Sequence, residues 1–396
     1  MRYKFSELIE EVQRYNSELR YGLNDIVGVT IEKGLIPTVA NLTQTALDKF
    51  YLVEPNTFVY NPRTHGVRLG MGYNQTDKTY ITSWNNFAFR VKQDMLSVLN
   101  PEYLWMYFNR RDWDRETNFR AWGSSTIVFS WNIFREMTID LPSKEYQDRI
   151  VKQYAVITNR IGLLKQINDN LAETANTLFC KFFITNEEKK TWEEGSFSQM
   201  LLETVGGDWG QETPSGNYTC EVSCIRGTDI PALNLGSVSD APTRYILEKN
   251  FNTKRICAND MVVEISGGSP IQATGRIALV PEQILSYRGS NIICSNFCRV
   301  MKVDADYLYF FLQNWLYLYR NGVMFNYENS STGLKNFNFA AFTEEHPILI
   351  PPKELAVRFN SLIEPIYKEI VNIGFEIEQL KRTQEHILPH MMSVGI

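Results

Sequence analysis

The chain has few of the residues that most often bind metals or cross-link small folds: its 396 residues include six cysteines and four histidines. So few cysteines in so long a chain do not make a disulfide scaffold. Cys220 and Cys224 are separated by three residues, as are Cys294 and Cys298, and the two-residue separation most typical of zinc ligands is absent. We expect buried thiols and no metal, with a zinc site as the alternative.

Long apolar runs are also missing. No stretch approaches the roughly 20 apolar residues that cross a membrane. The first residues lead into a predicted amphipathic helix, from Phe5 to about residue 16, and do not resemble a secretory leader. We therefore expect a soluble, cytoplasmic, globular protein of two or three domains. The net charge of −5 leaves nucleic-acid binding open, because a local basic patch can bind phosphate on an acidic protein.

Enzyme signatures are absent as well. The sequence has no glycine-rich phosphate loop followed by Lys-Ser/Thr, no His-Glu-x-x-His, no Asn/Asp-Pro-Pro-aromatic motif and no Asp…Glu-x-Lys nuclease motif. Residues 69–73 lack the third glycine of a dinucleotide fingerprint. Asp260 and Glu264 lie on an apolar strand, where we expect them at its ends or on its outer face. A binding protein is the simpler interpretation.

Two long heptad patterns are the strongest positive signal. The first runs through residues 144–183 and the second follows it at an offset of 209 (351 − 142 = 209), each with one polar member. The two predicted seams are Ile150, Tyr154, Ile157, Ile161, Leu164, Asn168, Leu171, Ala175, Leu178 and Phe182, and Phe359, Ile363, Ile366, Ile370, Ile373, Ile377, Leu380, Gln384, Ile387 and Met391.

Each seam is the only matching partner for the other, so we predict an antiparallel coiled coil of two long helices. Asn168 and Gln384 interrupt the seams and are predicted to fix the register, with a solvent-facing or water-bridged position as the alternative. Pro365 and Gly374 lie within the second helix. Proline lacks a backbone N–H, so we expect that helix to break or bend.

Each long helix follows a globular stretch with the same order of strand and helix signals. Strands are expected near residues 26–31, 57–60, 86–91 and 137–141, with a helix at 101–108; in the second stretch strands are expected at 261–265, 296–300 and 347–350, with a helix at 306–312. Residues 185–190 read as a hydrophilic linker. The fold class is α+β: two mixed units, a pair of long antiparallel helices and a pseudo-two-fold repeat.

Basic, amide and hydroxyl side chains gather in corresponding loops of the two units. Such groups supply hydrogen bonds to phosphates and base edges, although the arginines near Asp112 can instead pair with acidic neighbours. The candidate DNA contacts are Arg63, His65, Arg68, Ser83, Asn85, Arg110, Arg111, Arg120, Trp122, Ser124 and Ser125, and in the second unit Ser266, Ser269, Gln272, Arg276, Asn291, Arg320, Asn329, Ser330, Ser331 and Lys335.

The entrance to the first helix resembles that of the DNA-specificity subunits of Type I restriction–modification systems. Leu141, Pro142, Gln147 and Ile150 fit the family's Leu-Pro-Pro-x-x-Glu-Gln-x-x-Ile pattern, and residues 170–179 resemble its Asn-Leu…Leu-Phe ending. The second copy has Ala356 where Gln147 would map, so its entrance is weaker.

The resemblance implies target-recognition domains at 1–141 and 187–350 and spacer helices at 142–186 and 351–396. Each domain would read half of a bipartite double-stranded DNA target, and the chain itself would be non-catalytic. Two modification subunits would bind S-adenosylmethionine, and a restriction subunit would use ATP and Mg²⁺. The alternatives are a subunit serving a fused restriction–methyltransferase or an orphan methyltransferase, a coiled-coil assembly scaffold, and a zinc-dependent nucleic-acid enzyme.

Overall fold

The structure is a computed structural model that describes residues 1–38, 45–64, 68–122, 127–237, 240–267, 272–288, 291–331 and 334–393. The chain divides into two compact units. The first comprises Met1–Asn159 and Arg382–Ile396, and the second comprises Arg160–Lys381. Each unit therefore contains one globular stretch together with segments of both long helices.

The first unit is built mainly of short strands. Its elements are β1 (Arg2–Lys4), α1 (Phe5–Leu8), β2 (Ile9–Glu11), β3 (Val27–Val29), β4 (Leu35–Pro37), β5 (Tyr51–Val53), β6 (Phe58–Tyr60), β7 (Met71–Tyr73), β8 (Tyr80–Thr82), β9 (Phe87–Val91), α2 (Pro101–Phe108), α3 (Arg111–Arg120), α4 (Trp131–Glu136), β10 (Thr138–Asp140) and the start of α5 (Lys144–Phe179).

An antiparallel sheet with strand order β2-β9-β6-β7 forms the centre of this unit. Its apolar face packs on α2 and α4 through a fully buried aromatic cluster that includes Phe58, Phe89, Phe108 and Phe134. The predicted opening helix is wrong beyond Leu8, because the chain turns there and pairs Ile9 with Val91 as an edge of this sheet. The ladder satisfies backbone groups that an isolated helical turn would leave to solvent.

The second unit is larger. Its elements are β11 (Glu193–Gly195), β12 (Leu201–Gly206), β13 (Tyr218–Ile225), α6 (Ile230–Leu233), β14 (Thr243–Leu247), α7 (Glu248–Lys254), β15 (Asp260–Glu264), β16 (Ser266–Gly267), β17 (Ile277–Val280), α8 (Glu282–Arg288), β18 (Ile292–Cys294), β19 (Cys298–Val303), α9 (Leu308–Arg320), β20 (Glu328–Ser331), β21 (Leu334–Phe337), α10 (Phe339–Glu345), β22 (Ile348–Ile350) and the larger part of α11 (Lys353–Ser393).

The strand topology repeats between the units. The second unit has a four-stranded sheet of order β12-β19-β15-β17, which matches β2-β9-β6-β7 strand for strand. In both units a first strand also pairs antiparallel with the last strand before the long helix, β1 with β10 and β11 with β22. A π-helical turn (Cys180–Ile184) follows α5, and the predicted hydrophilic linker at 185–190 contains a 3₁₀ helix (Glu187–Thr191) with mostly exposed side chains.

The long helices α5 and α11 contain 36 and 41 residues. They run antiparallel within each unit. In the first unit Tyr146 donates a hydrogen bond to the Met391 carbonyl, and in the second Arg160 pairs with Glu376 while the Phe182 ring packs on Phe359. Every predicted seam position on both helices is buried or half-buried.

The expected break at Pro365 is wrong, because α11 continues through it as one helix. Pro365 is exposed, and so is Ser361, whose carbonyl would have accepted the missing N–H bond. Water can therefore hydrate that carbonyl, which lowers the cost of proline inside the helix. Among the described helices, none is both long and apolar enough to cross a membrane.

Candidate nucleic-acid interface

Three backbone segments lie side by side at one edge of the first unit. Antiparallel bridges join Arg63 to Val128 and Val128 to Trp122, and Trp122 and Val128 exchange two backbone hydrogen bonds of 3.1 Å. We call these three segments the first ribbon. The Arg63 segment follows β6, the Trp122 segment follows α3, and the Val128 segment precedes α4. The ribbon therefore brings together two of the predicted contact loops.

The candidate arginines of the first ribbon and of α3 are largely exposed. Arg63 is exposed, and Arg120 forms an ion pair of 2.8 Å with Glu116 one turn earlier on α3. Arg111 pairs with Glu385, and Arg110 lies 4.0 Å above the Tyr107 ring. Exposed pairs of this kind contribute only about 0–1 kcal/mol, so they leave the arginines able to exchange partners for phosphate.

Asp114 holds the elements behind the first ribbon together. This carboxylate is buried on α3, and its Oδ1 pairs with the buried Lys33 ammonium at 2.7 Å. Its Oδ2 lies 3.8 Å from the Arg68 Nε. Burial lowers the pKa of Lys33, against the opposing effect of Asp114. Lys33 also donates to the Leu69 carbonyl at 2.9 Å. The β3–β4 turn, the segment carrying Arg68 and helix α3 are thereby fixed to one another.

The remaining candidates of the first unit lie apart from the ribbon. Ser83 and Asn85 form the turn between β8 and β9, where the Ser83 hydroxyl accepts the Asn85 N–H at 3.3 Å. The neighbouring Trp84 packs edge-on against Phe50. Phe50 in turn belongs to a smaller apolar cluster with Ile26 and Ile81.

The second unit repeats the ribbon as a three-stranded sheet of order β16-β21-β20, which we call the second ribbon. In its register Ser266 pairs with Asn336, and Asn336 pairs with Asn329. The order matches that of Arg63, Val128 and Trp122, because β16 follows β15 as Arg63 follows β6, and β21 precedes α10 as Val128 precedes α4. Ser266, Asn329 and Asn336 thus share one face of the ribbon, whereas Lys335 lies on the opposite face, because successive strand residues point to opposite faces.

Lys335 and Glu328 form the main charged pair of the second ribbon, at 2.8 Å. Burial would raise the pKa of Glu328, but hydrogen bonds from Lys335 and from the backbone and hydroxyl of Thr274 lower it below its usual value. The Ser266 hydroxyl donates to the Asn336 side chain at 2.6 Å. These contacts hold the ribbon in one conformation.

Arg276 does not reach this surface. Its guanidinium forms two hydrogen bonds, of 2.8 and 2.6 Å, with the buried Glu264 carboxylate, which raises the pKa of the arginine. Asp260 and Glu264 are the first and last residues of β15, so the expectation that they mark its ends is confirmed; the alternative of an outer face is wrong, since both are buried. Each has a specific partner there: Glu264 has Arg276, and Asp260 accepts the Cys257 N–H at 2.7 Å.

The other candidates are scattered or undescribed. Gln272 and Arg320 are exposed, and Asn291 donates to the Glu221 carbonyl at 3.2 Å. His65, Ser124, Ser125 and Ser269 lie outside the described residues, as do the side chains of Ser330 and Ser331.

One amide side chain fixes each globular stretch to its long helix: the buried Gln147 in the first unit and the half-buried Asn360 in the second. Sequence reasoning found only Gln147. Gln147 accepts the Asn100 N–H at 2.9 Å and donates to the Val98 and Pro142 carbonyls. In the second unit Asn360 accepts the Tyr309 N–H at 3.1 Å and donates to the carbonyls of residues 305 and 306. Asn360 lies one turn beyond Ala356, so aligning the helix entrances missed it.

Asn168 joins three segments of the second unit. Its side chain is 1% exposed and donates to the carbonyls of Ile370 and Leu235, both at 3.3 Å. Gly374 packs closely against the same Leu235 carbonyl: a Cβ added to Gly374 would lie 2.5 Å from its oxygen. In the first unit Gln384 donates to the Thr158 hydroxyl at 2.8 Å, so each polar seam member bonds across the helix pair.

All six cysteines lie in the second unit as free thiols, and three of them, Cys224, Cys294 and Cys298, are buried. Burial raises the pKa of both Cys224 and Cys298 to about 12, so neither is a thiolate near neutral pH. Within the described ranges, no three His, Cys, Asp or Glu side chains are grouped so as to hold a metal ion.

No family model matches the chain. Its fold is that of the specificity subunits of Type I restriction–modification systems: the crystal structure of the Type I S subunit from M. genitalium matches 99% of this chain and 95% of that one, with a TM-score of 0.51 and 14% identity. In sequence, the chain is similar to the Type I restriction enzyme MjaIX specificity subunit of Methanocaldococcus jannaschii. The two are 23% identical over 341 residues, which cover 82% of this chain and 75% of the relative. The resemblance predicted from the first helix entrance is confirmed.

Proposed function

We propose that this chain is the sequence-specific DNA-binding specificity subunit of a Type I restriction–modification complex and is itself non-catalytic. The observation that carries the proposal is the repeated ribbon. Two units with one strand topology present the same three-segment surface, lined by side chains that bond phosphates and base edges. A repeated surface suits a target made of two separate half-sites.

The domain assignment extends this proposal. Residues 1–141 and 187–350 are the two target-recognition domains, and residues 142–186 and 351–396 are the spacer helices that set the gap between half-sites. The amide side chains of Gln147 and Asn360 support the assignment, because each bonds a globular stretch to its own helix. A locked junction transmits the position of a helix to the domain that it carries.

The partners follow from the same proposal. The chain contacts double-stranded DNA and two modification subunits, which bind S-adenosylmethionine, and a restriction subunit supplies ATP- and Mg²⁺-dependent translocation and cleavage. Such a complex works on DNA in the cytoplasm. A fused or orphan methyltransferase would use the same DNA contacts, and the neighbouring genes distinguish these arrangements.

Selection from randomised DNA duplexes tests the proposal. The complex of this chain with its modification subunits should enrich two short sequences separated by a fixed gap. A hybrid chain in which residues 1–141 come from another specificity subunit should change one of those sequences and keep the other. Enrichment of no sequence would contradict DNA specificity and favour an assembly scaffold, and a change in both halves would contradict the modular assignment.

A further inference from the structure

Two large aromatic side chains at the first ribbon are almost fully exposed. Phe119, in the last turn of α3, is 89% exposed and Trp122 is 86% exposed. Among the described residues neither ring stacks on another ring. Aromatic side chains normally bury most of their surface, so two such residues three positions apart indicate a contact surface.

The backbone beneath these rings is fixed. Trp122 exchanges two hydrogen bonds with Val128, and the N–H of Ala121 bonds the Thr117 carbonyl at 2.9 Å. Helix α3 is itself held by the buried pair of Asp114 and Lys33. The rings are therefore presented from a rigid support, which lowers the entropy lost when they bind.

Exposed aromatics recur at the second ribbon. Phe325 is 44% exposed, with the Lys335 ammonium 4.9 Å from its ring centre. Phe297 is 54% exposed, and its carbonyl accepts the N–H groups of Ile265 and Ser266, where β16 begins. The second ribbon, like the first, therefore has exposed rings next to it, one of them beside a cationic side chain.

We propose that Trp122 and Phe119 stack against bases of the first half-site and unstack one base step. This inference rests on the proposed DNA-binding function. The charge of the surface favours DNA over an apolar protein partner, because Arg120 lies between Phe119 and Trp122 in the chain and Arg63 lies on another segment of the same ribbon. Base stacking on an aromatic ring and apolar insertion at a base step are established ways in which proteins hold and deform DNA.

The test uses the complete complex and a duplex carrying its selected target, with 2-aminopurine placed in turn at each adenine of the first half-site. The wild-type complex should change the emission of the analogue at one position. Trp122→Ala should abolish that change and weaken binding about five- to 150-fold. Trp122→Phe should restore most of the emission change and most of the affinity. Phe119→Ala should reduce the emission change at the same base step by less than Trp122→Ala does.

Trp84→Ala is the matched control, since Trp84 is 51% exposed but packs against Phe50 away from the ribbon. It should leave affinity and emission unchanged. The inference is overturned if Trp122→Ala binds like the wild type, or if it fails to assemble with the modification subunits, which would place the ring at a protein interface. Absence of specific binding by the wild-type complex would overturn the DNA-binding function as well.

Discussion

A single amide side chain accounts for how each globular stretch meets its long helix. Gln147 is fully buried and satisfies one N–H and two carbonyls of the chain before it. Asn360 does the same in the second unit from a different position. An amide whose hydrogen bonds are all made makes the junction rigid, because any other arrangement of the side chain would leave a donor or an acceptor without a partner.

Gln147→Ala should therefore destabilise the first unit by about 1–3 kcal/mol, the cost of leaving buried polar groups unpaired. Urea unfolding measures the change. Gln153→Ala is the control on the same helix, because Gln153 is exposed, and it should stay within about 0.5 kcal/mol of the wild type. Equal effects of the two changes would contradict the role given to Gln147.

The Lys335–Glu328 pair predicts a pH dependence of the second ribbon. The folded-state pKa of Glu328 lies below the ordinary 4.5, so its contribution to stability is full above pH 4.5 and is lost as the pH falls through the folded-state value. Glu328→Gln should cost about 1.5–3 kcal/mol at pH 7, and the cost should shrink below pH 4.5.

Urea unfolding at a series of pH values checks this prediction. Glu203→Gln is the control, because Glu203 pairs with Lys302 where both side chains are well exposed, and it should cost less than about 1 kcal/mol. A difference between Glu328→Gln and the wild type that did not vary with pH would contradict the assigned ion pair.

At the scale of elements, the long helices could be predicted because ten seam positions each repeat at heptad spacing, and burial of that seam dominates local preferences. The end of the opening helix at Leu8 could not be predicted, because residues from Ile9 onward pair with β9, and this pairing depends on the tertiary fold. The continuity of α11 depends on the exposure of Pro365, and that exposure cannot be read from the sequence. The candidate loops were found from their composition, but the ribbons that join Arg63 to Trp122 are long-range bridges with no local signal.

The two long helices contain a matched pair of glycines that separates packing from helix propensity. A Cβ on Gly374 would lie 2.5 Å from the Leu235 carbonyl oxygen and 2.7 Å from Gly236 backbone atoms, whereas nothing lies within 4 Å of one on Gly162. Alanine favours a helix by up to about 1 kcal/mol over glycine. Gly162→Ala should raise the unfolding free energy by up to that amount, and Gly374→Ala should lower it by about 1–3 kcal/mol. Thermal and urea unfolding compare them, and stabilisation by both would contradict the close backbone approach at Gly374.

At the scale of the whole molecule, the proposed spacer helices predict that helix length sets the gap in the DNA target. One heptad inserted at the same height in both α5 and α11 adds about 10 Å, which corresponds to about three base pairs. Selected targets should keep both half-sites and lengthen the gap by about that number. A heptad inserted into one helix only is the control, because it mismatches the seams. An unchanged gap in the double insertion would contradict the spacer role.

The central claim is that this chain determines which DNA sequence a methyltransferase complex recognises. Methylome sequencing of cells with and without the chain tests it most directly. We predict that a split adenine-methylation motif, with two half-sites at a fixed gap, is present with the chain, disappears on its deletion and returns when the chain is restored. An identical set of methylated motifs in both strains would contradict the account.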